Sequence, residues 1–303
     1  MAARTFHRKT TVTLGPVEPQ QPLPRILPTR LALALAARRG RRSWREAAVR
    51  DAARATAEAI VGPGPQVDAV ARAHLAATAA REEFILRPWA NRHDAVHGVE
   101  HLRAARADGR GVVVSYCHAG PFTGLGATTA RCTRDVHNIV GDWLFDDQPD
   151  PGLRRRQLAW RSMLEDEGTP LLPARGSFHE AVRLLSRGCV VFLSFDMPGS
   201  QQTEFLGRPV MLASGTARMA AASDALEVPA ARRLLRYRPH SFFAPALDSR
   251  DHDDWRSLHD ALAAVHSRSI LERPATLEDP RRGGAWGSGA TADAWILAVP
   301  GGG

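Results

Sequence analysis

The sequence lacks any apolar stretch long enough to cross a membrane. The longest N-terminal candidate, Leu31 to Ala37, has only seven residues and is flanked by Arg30 and by Arg38 and Arg39. A membrane-spanning helix needs about 20 predominantly apolar residues, and the segment also begins too late for a clean signal peptide. We therefore expect a cytoplasmic protein with at most a peripheral membrane contact.

Cysteine is also scarce. Cys117, Cys132 and Cys189 are odd in number and lie in strand-like or helix-flanking contexts, which argues against a disulfide framework and for a reducing compartment. Cys117 adjoins His118, but neighbours on an extended segment point to opposite faces. We predict a buried structural cysteine there.

Lysine and tyrosine are nearly absent, with Lys9 the single lysine among 40 basic residues and only two tyrosines. The net charge of +8 favours acidic partners such as an anionic lipid, phosphopantetheine or an acidic carrier protein. Basic residues are not interleaved with aromatic ones, and no zinc-knuckle spacing occurs, so we expect no nucleic-acid partner.

Two sets of histidines suggest metal ligands only at first sight. In the first, Gly98 interrupts the helix that would align the imidazoles, so we expect no metal site. In the second, aspartates surround the histidines, and we predict a solvated helix face. The sets are spaced by four (His93, His97 and His101) and by seven (His252, His259 and His266).

The pattern along the chain predicts one α/β domain over residues 29–270, between a proline-rich arm (1–28) and a loosely ordered C-terminal tail (271–303). Apparent capping boxes at Ser43 and Ser177 predict helix starts. Because strands and helices alternate, we expect a mixed, mostly parallel central sheet flanked by helices, with a helical N-terminal section. Strands are expected at 111–116, 136–140, 189–195 and 241–246, and helices at 43–60, 67–81, 100–107, 123–131, 152–166, 178–186 and 214–224.

His118 is the strongest candidate for chemistry. A β-branched run, Val112 to Val114, leads through Tyr116 to His118, and a small-residue turn with Gly120 precedes a predicted helix. This arrangement holds an imidazole on a rigid element beside the free N–H groups of a helix start. A histidine that merely stabilises its loop is the competing interpretation.

Two ordered blocks of sequence resemble the bacterial lipid A lauroyl/myristoyl acyltransferases and the related actinobacterial phosphatidylinositol mannoside acyltransferases. The first runs from Val96-His97-Gly98 through Gly109-Arg110-Gly111 to His118. The second runs from Cys189 through Asp196 and Phe205-Leu206-Gly207-Arg208-Pro209 to Gly215-Thr216-Ala217-Arg218. The resemblance covers roughly residues 30 to 250 and implies a glycerolipid acyltransferase-like fold.

The chain departs from that family at one position. In the family, Asp or Glu stands five positions after the histidine and orients the imidazole, which deprotonates the acceptor hydroxyl. Here that position is Thr123. If a carboxylate from elsewhere takes its place, Asp142 is our first candidate and Asp196 our second, because both follow predicted strands.

The resemblance further implies that charged residues of the second block bind the donor or an acceptor phosphate. Arg208 suits this role, since its planar fork can pair with phosphate oxygens, although a structural ion pair is an equal alternative. The residues that we assign to substrate binding are Arg208, Thr123, Gly120, Tyr116 and Trp143. We expect His118 at the floor of the main pocket.

Three functions remain open from sequence. The first is acyl transfer from coenzyme A or an acyl carrier protein to a hydroxyl or amine of a specialised metabolite, with no resident cofactor, His118 as base and helix amides as oxyanion stabiliser. The second is a repurposed fold that catalyses an intramolecular displacement or elimination, in which a biosynthetic intermediate cyclises with loss of a sulfate, phosphate or carrier-bound group. The third is a non-catalytic partner of a lipid, a carrier protein or a second subunit.

Overall fold

The computed structural model describes residues 22–280, which form helical layers around a central sheet. The α-helices of this part are α1 (Thr29–Arg42), α2 (Ala47–Val61), α3 (Val67–Ile85), α4 (Val99–Ala107), α5 (Leu125–Cys132), α6 (Pro151–Glu165), α7 (Phe178–Leu185), α8 (Gly215–Ser223) and α9 (Trp255–Leu271). The strands are β1 (Ala95–His97), β2 (Val112–Tyr116), β3 (Val136–Val140), β4 (Leu171–Pro173), β5 (Val190–Ser194), β6 (Pro198–Phe205), β7 (Arg208–Leu212), β8 (Leu226–Leu235), β9 (Arg238–Phe243) and β10 (Leu247–Asp248).

The central sheet is mixed and mostly parallel. Its strand order is β1-β9-β8-β2-β5-β3-β4, with β10 paired to β8, while β6 and β7 form a separate hairpin. β2 runs parallel to both β5 and β8, and β5 runs parallel to β3. Together with the N-terminal helices α1 to α3, this architecture confirms the predicted fold class.

Both faces of the sheet are buried because the central strands are apolar on both sides. In β2, Val113 packs into the cluster beneath α7, α8 and α9, whereas Val112 and Val114 pack into the cluster on the opposite face with α5 and α6. Continuous apolar strands of this kind are typical of parallel sheets covered by helices.

The largest error in the predicted strands concerns β8 and its neighbours. Neither β8 nor the β6–β7 hairpin was predicted from sequence, and β9 was expected at 241–246 rather than Arg238–Phe243. Pro229 within β8 argues against a central strand, since proline cannot donate to a ladder. The structure accommodates Pro229 because it lies where the outer partner of β8 changes from β10 to β9.

Neither predicted capping box forms, although the helix start predicted at Ser177 is confirmed, since α7 begins at Phe178. The Ser43 hydroxyl donates to the Gly40 carbonyl at the end of α1, and α2 begins only at Ala47. The Ser177 hydroxyl likewise donates to Pro173 rather than capping α7. A complete capping box occurs instead at Asp254, whose carboxylate accepts the backbone N–H of Ser257 at 3.0 Å.

The histidine stripe of α9 differs from its prediction as a solvated face. His259 and His266 are buried, and only His252 is partly exposed, so the stripe faces the core rather than solvent. His266 lies 3.0 Å from the Ser115 hydroxyl through Nε2, and its ring stacks on Phe195. Burial lowers the pKa of His266 to about 4, which keeps the ring neutral in the core.

The packed region extends further towards both ends than the predicted arm and tail suggest, although most of both segments lies outside the described residues. The buried guanidinium of Arg87 donates to the carbonyls of Leu23, Pro24 and Leu27. At the other end, Leu277 is buried and pairs with Ala119.

A buried ion pair joins β8 to the segment before β1 and lies against the loop that follows β2. Arg232 of β8 pairs with Asp94 at 3.0 Å and donates to Asn91 at 2.6 Å. Its guanidinium passes directly against Gly124, where an added Cβ would collide with Nη1. Gly124 therefore allows the buried arginine to approach the loop.

We expect Asp94→Ala to destabilise the protein by about 3–5 kcal/mol, because it leaves Arg232 buried without its counter-charge. Two hydroxyl groups, on Thr128 and Ser241, would also lose the carboxylate oxygen that accepts from them. The free energy of unfolding in urea measures the effect. Asp51→Ala is the control, since Asp51 forms an exposed pair with Arg50 and should change stability by less than about 1 kcal/mol.

Candidate active site

His118 and Asp196 lie side by side because they follow two parallel, neighbouring strands at equivalent positions. Tyr116 of β2 lies opposite Ser194 of β5, and each candidate residue follows two positions later. Parallel strands deliver their carboxyl ends to one edge of the sheet. The topology therefore places this histidine and this aspartate side by side.

The Asp196 carboxylate holds His118 through both of its oxygens. Oδ1 lies 2.7 Å from the imidazole Nδ1, and Oδ2 accepts the backbone N–H of His118 at 2.8 Å. Both side chains are nearly excluded from water, with 10% of His118 and 2% of Asp196 exposed. In the neutral ring, an N–H at Nδ1 leaves the lone pair on Nε2, the atom that a general base would use.

The carboxylate also sets the basicity of the imidazole. Burial lowers the pKa of His118, but the charge of Asp196, its hydrogen bond and the charge of Glu278 together raise that pKa above its ordinary value. The nearby cation of Arg81 opposes them. A histidine whose pKa is raised by a buried carboxylate can take a proton more readily than a free imidazole.

Asp142, the first-ranked carboxylate, lies elsewhere. It follows β3, which β5 separates from β2, so it cannot reach the edge position occupied by Asp196. Its carboxylate accepts the backbone N–H of Arg175 at 3.1 Å and pairs with the Arg175 guanidinium at 3.6 Å. The second candidate, Asp196, and not the first, Asp142, is therefore the aspartate beside His118.

Thr123, at the family's acid position, is buried in the short helical turn Phe122–Gly124. Among the residues that the structure describes, no group forms a hydrogen bond with its hydroxyl. The imidazole Nδ1 is instead taken by Asp196. Thr123 therefore does not replace the missing acid.

The other residues assigned to substrate binding hold the structure around His118 or lie apart from it. The Tyr116 ring stacks on Phe192 at 4.6 Å within the core, and the buried Trp143 ring lies 5.6 Å from that of Trp160. Arg208 of β7 donates to the Glu58 carbonyl in α2 at 3.2 Å rather than meeting His118.

Gly120 shapes the turn after His118. Its φ of +63° is left-handed, and an added Cβ would collide with the Arg232 carbonyl oxygen. Only glycine tolerates both the backbone conformation and the close approach. Gly120 consequently contributes to the position of the imidazole through the backbone.

His118 does not lie at the floor of the large groove on the surface. That groove, of about 1070 Å³, lies between the β6–β7 hairpin and α9, and its walls include Thr203, Asp260 and Arg268 but not His118. A small cavity of about 20 Å³ lies beside His118 and is lined by its neighbours Cys117 and Ala119. His118 is therefore not part of the wall of this groove.

The segment after α9 covers the turn that carries His118. The Glu278 N–H donates to the His118 carbonyl at 2.9 Å, and the Gly120 N–H donates to the Thr276 carbonyl at 2.9 Å. This segment was assigned to the tail from sequence, since it contains no strong strand pattern. The acidic pair Glu278-Asp279 offered no sequence signal of the proximity of Glu278 to His118.

Residues 22–280 contain no long apolar helix and no cluster of metal-binding side chains. No helix in this part is sufficiently long and apolar to traverse a bilayer. Within the same range, no three or more histidine, cysteine, aspartate or glutamate side chains gather as metal ligands would. His93, His97 and His101 do not share one helix, because Gly98 has a left-handed φ of +69°. His97 Nε2 instead lies 2.9 Å from Nδ1 of His240.

Comparison with known proteins agrees with the sequence motifs. The family profile described as bacterial lipid A biosynthesis acyltransferase matches residues 66–277, more than half of the chain. Among solved structures, the 1-acyl-sn-glycerophosphate (LPA) acyltransferase from Thermotoga maritima is similar, with 13% identity and a TM-score of 0.40 over 82% of this chain and 98% of that one. No curated protein sequence matches the chain. The profile match includes His118 and Asp196, and the chain belongs to the bacterial lipid A biosynthesis acyltransferase family.

Proposed function

We propose that this protein transfers an acyl group from a coenzyme A or carrier-protein thioester to a hydroxyl or amine, with His118 as general base and Asp196 as the acid that orients it. The observation that carries the proposal is the contact of 2.7 Å between His118 Nδ1 and Asp196 Oδ1. Asp196, just beyond the end of β5, supplies the carboxylate that this chain lacks at the motif position Thr123.

The chemistry follows from the orientation of the ring. His118 Nε2 removes the proton of the acceptor while the acceptor atom attacks the thioester carbonyl, and the negative charge of Asp196 stabilises the imidazolium that forms. When the tetrahedral intermediate collapses, the carbon–sulfur bond breaks and the imidazolium returns its proton to the departing thiolate. The products are the acylated acceptor, a free thiol and the original neutral histidine.

The direct test offers the purified protein acyl-coenzyme A and acyl carrier protein donors of several chain lengths with hydroxyl and amine acceptors. We expect release of free thiol together with an acylated acceptor for at least one donor. Donors that are all left intact would contradict the proposal and favour the displacement chemistry, in which a sulfate or phosphate leaves instead.

Thr123→Asp separates this proposal from a site that merely lacks its acid. Because Asp196 already occupies Nδ1, we expect no gain in kcat, and a loss of about tenfold or more from a second carboxylate buried beside the first. Thr123→Val is the matched control, since it removes a hydroxyl without a hydrogen-bond partner and should change kcat less than about threefold. A marked gain in acyl transfer by Thr123→Asp would show that Asp196 does not act as the acid.

A further inference from the structure

The segment after α9 brings one more carboxylate to the proposed base. Glu278 is buried, and its main chain is fixed to His118 by the hydrogen bond between the Glu278 N–H and the His118 carbonyl. The antiparallel bridge between Ala119 and Leu277 continues this contact along the turn. The position of Glu278 relative to His118 is therefore set by the backbone rather than by a flexible side chain.

The Glu278 carboxylate also connects the turn to the N-terminal helical section. Oε1 pairs with the Arg81 guanidinium of α3 at 3.2 Å, and both side chains are more than nine-tenths buried. Arg81 lies near Glu82, which in turn pairs with Arg156 of α6. A chain of alternating charges thus runs from Glu278, beside the His118 turn, to α6.

We propose that Glu278 is a positioning residue for His118, which holds the catalytic turn through its backbone and acts on the imidazole through its carboxylate charge. This inference rests on the proposed function, because it assigns a role to Glu278 in the same site. It adds a residue outside both family-like sequence blocks, just beyond the region matched by the family profile.

Charge explains the direction of the effect. The anion of Glu278 favours the protonated imidazole and raises the pKa of His118, whereas the cation of Arg81 disfavours it and lowers that pKa. Burial and the charge of Asp196 raise the pKa of the Tyr116 hydroxyl, and the charge of Glu278 adds to them, so its field reaches both rings. The ionisable groups that face His118 or its partner Asp196 are Tyr116 and Cys117 from β2 and its end, Asp196 from the end of β5, Arg81 from α3, His266 from α9, and Glu278.

Glu278→Gln and Arg81→Gln should consequently shift the titration of His118 in opposite directions. We expect Glu278→Gln to lower the pKa of His118 and to move the acidic limb of the pH–rate profile to lower pH, with kcat on the plateau reduced on the order of tenfold. Arg81→Gln should raise that pKa, and the double variant should return the titration towards that of the wild type.

The measurement is an NMR titration of the His118 imidazole in the full-length protein, assigned with His118→Asn, together with the pH dependence of kcat. The matched control is Glu272→Gln, because Glu272 lies in the same part of the chain but pairs with Arg233 at an exposed position. It should leave the titration of His118 unchanged.

Equal titrations of His118 in Glu278→Gln and Glu272→Gln would overturn the inference. Should Glu278→Gln fail to fold, the comparison of Arg81→Gln with the double variant isolates the same carboxylate, and identical titrations would again overturn it. The NMR readout needs no substrate, so it separates failure of this inference from failure of the acyl-transfer proposal, in which the wild type itself would not release thiol.

Discussion

His118→Ala is expected to lower kcat for acyl transfer by at least about 10⁴-fold, because it removes the only proton acceptor that the proposed mechanism uses. The side chain is nine-tenths buried, so the substitution also strands the Asp196 carboxylate in the core. We also expect a loss of about 1–3 kcal/mol in stability.

The measurement pairs steady-state kinetics with urea unfolding, at a temperature where the variant remains folded. His93→Ala serves as the control because His93 is exposed, and it should keep nearly full activity. A folded His118→Ala protein that retains most of the wild-type turnover would remove His118 from its role as base.

Asp196→Asn should lower kcat by about 10³–10⁴-fold while leaving the fold intact. An amide of the same shape can still contact His118, but it carries no charge to stabilise imidazolium and can select the wrong tautomer. Since the charge of Asp196 raises the pKa of His118, the acidic limb of the residual pH–rate profile should move to lower pH.

The aspartate that ranked first from sequence provides the control for this variant. Asp142→Asn alters a carboxylate that pairs with Arg175 near the surface, so kcat should change by less than about threefold. If the two variants lose activity equally, the distinction drawn from the strand order fails.

The sequence predicted β2, β3, β5 and the place of His118 after β2 because their signals are local. The β-branched run of β2 and the apolar run of β5 need no partner to be recognised, and the two ordered blocks around His118 and Asp196 indicate one fold. The order of strands is a different matter. The sequences around Asp142 and Asp196 are alike, since each aspartate follows a predicted strand. Only the position of β5 between β2 and β3 decides which of the two reaches the imidazole.

The remaining errors have a common physical origin in long-range contacts. His259 and His266 share a polar pattern with neighbouring aspartates, yet they are buried because α9 packs against the sheet beneath Phe195. Arg232 similarly lies in a segment with the polarity of a surface, but Asp94 compensates its charge within the core. Periodicity alone cannot reveal such compensation.

The bridge between Ala119 and Leu277 has a consequence for the order in which a newly made chain acquires its active site. During synthesis, β2 and the turn after it leave the ribosome long before the segment that pairs with them. Domains fold as their sequence becomes available, and contacts between distant residues form late. The hydrogen bonds from Gly120 to Thr276 and from Glu278 to His118 can form only when nearly all of the described chain has emerged. The nascent protein therefore carries an unfinished His118 turn until the segment from Thr276 to Glu278 has been made.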